Sequence, residues 1–129
     1  MRLVLDTNVI ISALVFDGLP EKLLISTLSG AHELVLSQYI IGETTRILES
    51  RFKVHPTNLN LLQQLLHESE VVYFEPFLHV ITDEPDNRIL ETAIKGGATY
   101  LVTGDKLILS LGQYDGIKII SIKEAEAII

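Results

Sequence analysis

Five short apolar runs, Arg2–Leu5, 33–36, 71–74, Tyr100–Val102 and Ile117–Ile120, are spaced along the chain with helix-like stretches between them. Parallel strands need a crossover of about a dozen residues or more, and that crossover is usually a helix. The intervening segments 9–15, 21–29, 38–50, 57–67, 86–95 and 106–111 supply such crossovers, and a last helix follows Ser121. The alternation predicts an α/β fold with a mostly parallel, five-stranded sheet in one domain over residues 1–129. Local signals agree: Pro20 and Pro56 open helices, Gly30 and Gly96-Gly97 stop them, and Ser121 with Glu124 forms a capping box. Residues 76–85 are the longest irregular stretch, and they lead into Asp86.

Several function classes drop out early. A chain of 129 residues that is 47% hydrophobic buries a core without staples and is not disordered. The absence of cysteine removes disulfides, zinc-thiolate sites and thiol nucleophiles together. His32, His55, His67 and His79 have no ligand spacing, which argues against zinc. Asp6 breaks the first apolar run, and residues 9–16 are too short to cross a bilayer, so a cytoplasmic protein without a membrane partner is expected. The formal charge of −7 argues against a general nucleic-acid binder. That objection weakens if several of the acids are held by metal.

Four acids fall where the pattern puts functional groups, at the carboxyl edge of the sheet. Asp6 ends the first strand, ahead of Thr7-Asn8; it can cap the next helix, but capping explains one polar residue and not three. Glu43 shares a helix face with Ile40, Thr44 and Ile47, whereas Gly42, Arg46 and Glu49 mark the wet side. Asp86 is in register with Ile89, Leu90 and Ala93, although an acid there also complements a helix dipole, with Asp83 as the natural cap. Asp105 follows Thr103-Gly104 at a strand exit and can either cap a helix or join a hydroxyl and a carboxylate at the sheet edge. Carboxylates ~5 Å apart repel by about 3 kcal/mol per pair at an effective dielectric near 20. A converging set therefore calls for a divalent cation, Mg2+ or Mn2+, held by oxygen ligands.

The pieces Leu5-Asp6-Thr7-Asn8, Glu43, Asp86-Asn87-Arg88-Ile89-Leu90-Glu91-Thr92-Ala93 and Tyr100-Leu101-Val102-Thr103-Gly104-Asp105-Lys106 resemble, in that order, the PIN-domain family. This family includes the metal-dependent ribonuclease toxins of VapC-like toxin–antitoxin pairs. The resemblance implies a Rossmann-like, three-layer α/β/α sandwich that hydrolyses RNA by metal-activated water. It carries over Asp6, Glu43, Asp86 and Asp105 as metal ligands and catalytic acids, with Asn8 and Thr103 as supports. It also implies a cognate antitoxin partner. Many family members have a further acid where this chain has Leu107.

Basic side chains for phosphate are expected from Arg46, Arg88 and Lys106, with Arg51 and Lys53 near the third helix's end. Three other readings compete. A non-catalytic binding domain on the same scaffold is favoured by Leu107 and the acidic charge. A receiver-type phosphoacceptor needs an aspartate at the end of a central strand, but 33–36 leads into Ser37-Gln38 and 71–74 into Glu75. A haloacid-dehalogenase-like phosphatase would need paired acids two apart, where this chain has Asp6 and Asn8. Leu61-Leu62 and Leu65-Leu66 exceed what one helical stripe needs, which suggests either homodimerisation or a place in the core.

Overall fold

The computed structural model describes residues 1–129. Its sheet comprises β1 (Arg2–Leu5), β2 (Glu33–Ser37), β3 (Glu70–Val72), β4 (Tyr100–Val102), β5 (Gln113–Tyr114) and β6 (Ile117–Ile120). The spatial order is β3-β2-β1-β4-β6-β5, parallel throughout except for β5 against β6. Six strands replace the five expected. The added strand has two residues, too short for any alternation, and it returns through Asp115 and Gly116, both at positive φ. An Asp-Gly pair in that conformation is a strong two-residue hairpin signal.

The helices are α1 (Thr7–Val15), α2 (Leu19–Ser29), α3 (Gln38–Arg51), α4 (Asn60–Glu68), α5 (Glu84–Lys95), α6 (Lys106–Leu109) and α7 (Ile122–Ile128). The expected fourth helix, 57–67, divides into a 3-10 turn at Pro56–Asn58 and α4, because Leu59 between them is extended. The third strand lies slightly earlier than 71–74, and α6 stops at Leu109 instead of 111. No helix is long and apolar enough to cross a membrane.

β2 shows how the layers form. Leu36 faces a small crevice lined by Ile10 of α1, Ile40 of α3 and Leu62 and Leu65 of α4. Val35 and Ser37 point the other way, onto α5. Both faces are covered, so the strands read as continuous apolar runs. Leu62 and Leu65 are buried, and Leu61 and Leu66 pack against the same core, so the leucines that suggested a dimer are satisfied within the chain.

The chain order reverses direction at β1. β1, β2 and β3 step one way, while β4 and β6 lie on the other side of β1. Right-handed crossovers then put α5 on the face opposite α1 to α4. The crevice between the carboxyl ends of β1 and β4 is the switch point, where α/β sheets bind ligands. At the opposite edge Arg2 ties three strand starts together. It pairs with Glu33 at 2.8 Å and Glu70 at 2.6 Å, and donates to the Gly96 carbonyl at 2.9 Å.

α5 lies close on β2 because Gly96 has no side chain: a Cβ there would overlap Val35 Cγ1. We expect Gly96→Ala to lose about 1–3 kcal/mol by overpacking. Gly42→Ala, in an exposed helical position with open space around it, should gain about 0.5–1 kcal/mol. Urea unfolding midpoints of the two variants, moving in opposite directions, would check this.

Candidate metal centre at the switch point

Asp6 directly follows β1 and is nearly buried, 6% exposed, with its amide bonded to the Val102 carbonyl of β4 at 2.9 Å. Burial without a cation disfavours its charge, and its pKa is raised, first by desolvation and further by the Asp105 carboxylate. The Thr103 hydroxyl works against this. It donates to Asp6 Oδ2 at 2.7 Å and accepts the Asp105 amide at 3.0 Å, so one buried hydroxyl ties the two acids together. The local backbone of Asn8 and Thr7 also favours the ionised form. The expected support from Thr103 is thus a direct contact. The Asn8 side chain is exposed, and its influence on Asp6 comes through the main chain.

Asp105 is also the cap its position suggested. Its Oδ1 accepts the Leu107 and Ile108 amides at 2.8 and 3.2 Å, opening α6. Glu43 is half-buried on α3, and its pKa is raised by desolvation and then by the charge of Asp6, against a weaker opposing pull from Arg46. Asp86, in the first turn of α5, is the most perturbed. Desolvation, then Asp105, Asp83, Asp6 and Glu43 push it up to about 6. Its Oδ2 is buried and has no hydrogen-bond partner.

The four sequence-predicted acids therefore share one electrostatic neighbourhood, although no three of them close around a common point as ligands of one ion would. The donor set is all hard oxygen, suited to Mg2+ or Mn2+, and the unpartnered Asp86 oxygen is the kind of atom a cation satisfies.

Asp83 is the residue that the sequence reading undervalued. It sits at the N-cap of α5 but makes no side-chain cap bond, and its charge raises both Glu43 and Asp86. The signal was its three-residue spacing from Asp86. The segment that delivers it, residues 77–83, is held by α5 itself. Asn87 Oδ1 accepts the Val80 and Ile81 amides at 3.0 and 2.9 Å. The fully buried Glu91 accepts the Phe77 and Leu78 amides.

Arg88, expected to meet phosphate, is engaged within the fold. Its guanidinium contacts Glu91 at 2.5 Å and Glu84 at 3.4 Å, donates to the Leu78 carbonyl, and is 15% exposed. Arg46 and Lys106 are exposed, beside Glu43 and Asp105 respectively.

The PIN-domain family model matches residues 2–107. No curated protein matches the chain. Among solved structures, the chain is similar to one from Rickettsia felis, the crystal structure of VapBC2 bound to a DNA fragment from its promoter. The identity is 17% and the TM-score 0.63, over 94% of this chain and 98% of that one. At that identity the likeness speaks for the fold alone. The family match carries more, because it runs over residues 2–107, most of the chain: the chain belongs to the PIN-domain family.

Proposed function

We propose that this chain is a metal-dependent endoribonuclease that hydrolyses RNA phosphodiester bonds, and that it is the toxin member of a toxin–antitoxin pair. The observation that carries the reading is Asp86, half-buried, with an unpartnered oxygen, its pKa pushed up to about 6 by desolvation and then by the charges of Asp105, Asp83, Asp6 and Glu43. Asp6, Glu43, Asp86 and Asp105 would hold one or two Mg2+ or Mn2+ ions. A bound divalent ion lowers the pKa of water and offsets charge on a phosphodiester. The chain's own residues supply the rest. Thr103 holds the Asp6 carboxylate and the Asp105 main chain, Asp83 adds negative potential, and exposed Arg46 and Lys106 would meet the flanking phosphates. The antitoxin partner is supported by the likeness to a toxin–antitoxin complex and by family membership.

A non-catalytic binding domain remains the second reading, favoured by Leu107, 60% exposed, where many relatives have an acid. Cleavage assays separate the two. With Mg2+ or Mn2+ the protein should cut RNA, and chelator should stop it. Asp6→Asn and Asp86→Asn should each lose at least the ~100-fold that disturbing a metal site's outer partners can cost. Equal cleavage by wild type and both variants would mean a contaminating nuclease. Folded wild type that binds RNA without cutting it would favour the binding domain.

Stability follows a definite sign with pH. Asp86 binds its proton more tightly folded than unfolded, since its pKa rises from 3.8 to about 6. Stability of the metal-free protein therefore falls as pH rises between those values and levels off above. Asp86→Asn should stabilise the metal-free protein at pH 7, on the order of 1 kcal/mol once solvent screening of this half-buried group is allowed for. It should also remove most of the thermal stabilisation that Mn2+ gives wild type. Thermal melts at pH 4 to 8, with and without Mn2+, would read both effects; a destabilised Asp86→Asn at pH 7 would contradict them.

A further inference from the structure

Glu43 and Asp86 lie on different helices, and something must fix their relative positions. The two helices meet at one buried polar contact. Ser37, the last residue of β2 and the N-cap of α3, and Thr92 of α5 are both 0% exposed, with their hydroxyl oxygens 2.7 Å apart. Thr92 Oγ1 also lies 2.7 Å from the Arg88 carbonyl, and Ser37 Oγ accepts the Ile40 amide at 3.3 Å. Each hydroxyl has a single proton. The Arg88 carbonyl can only accept, so it takes the Thr92 proton, and the Ser37 proton then goes to Thr92 Oγ1. The result is an unbroken chain from the Ile40 amide of α3 to the Arg88 carbonyl of α5, with no hydroxyl left unsatisfied.

The contact is part of a wider register. Gly96 against Val35 and Thr92 against Ser37 are one helical turn apart on α5 and one same-face step apart on β2. The first contact sets how closely α5 lies on the sheet, and the second sets how far it slides along. Glu43 and Asp86 each stand six residues from the joint on their own helix, about 9 Å of helix. A small rotation or slip there is carried directly to the carboxylates.

We propose that Ser37 and Thr92 are positioning residues for the acidic site, setting the separation of Glu43 and Asp86 and hence the affinity for a divalent ion. The proposal rests on the metal-site reading above. The test is Mn2+ binding alone, measured by calorimetry on the full chain with no RNA present. Thr92→Val keeps the shape and removes the hydroxyl, and should weaken Mn2+ about 10-fold, the scale seen when a residue behind a metal ligand is lost. Thr92→Ser should stay within about 2-fold of wild type, because the hydroxyl returns. Ser37→Ala should match Thr92→Val, and the double variant should be no weaker than either, since both break one link. Ile117→Val, a core change at the far edge of the sheet, controls for general destabilisation and should leave affinity unchanged. If wild type binds Mn2+ and Thr92→Val binds it equally well, the positioning role is wrong while the metal site stands. If Ile117→Val weakens binding as much as Thr92→Val, the effect is loss of stability and the proposal fails. If wild type binds no Mn2+, the metal-site reading falls and this proposal falls with it.

Discussion

A buried carboxylate at the end of the central strand is the constraint on which the rest of this molecule depends. Asp6 is inside because β1 is inside: the strand is covered on both faces, and Asp6 follows it directly, where the strand order reverses. An ionised aspartate there loses most of its hydration, a cost that a hydrogen bond offsets only in part. The Thr103 hydroxyl provides that bond, and by accepting the Asp105 amide it also fixes where the next acid leaves β4. The two strands flanking the switch point are thus joined through one hydroxyl as well as through their backbone ladder.

The remaining acids add to that cost. Every charge acting on Asp86 is negative, and its pKa moves accordingly. Arrangements that lower a protein's own stability in one place are usually retained for what they bind. The scaffold behind the cluster is correspondingly strong. α5 is held to β2 by close packing and by the Ser37–Thr92 contact, and it holds the preceding irregular segment through Asn87 and Glu91. Rigid elements carry the acids, and their mutual repulsion is what the proposed cation would relieve.

Much of this was legible in the chain itself. The strand runs and helix punctuation gave the parallel sheet, because buried strands are apolar on both faces and Pro, Gly and capping residues act locally. β5 was missed because a two-residue strand has no periodicity to detect. The acids at Asp6, Glu43, Asp86 and Asp105 could be found because strand ends and helix faces fix where a side chain goes. Asp83 was set aside because a cap position predicts a capping bond that this residue does not make. Arg88 looked available because its partner Glu91 reads as a surface residue. Only the fold shows that Glu91 is fully buried and needs a counter-charge.

The central claim is that these acids form one cation-binding site at the switch point, and paramagnetic broadening by Mn2+ tests it most directly. Substoichiometric Mn2+ added to isotope-labelled protein should broaden the NMR resonances of Asp6, Glu43, Asp86 and Asp105 first. Those of Glu33 and Glu70, paired with Arg2 at the opposite edge, should stay sharp. Broadening spread evenly over the exposed carboxylates, with the switch-point resonances intact, would contradict the account.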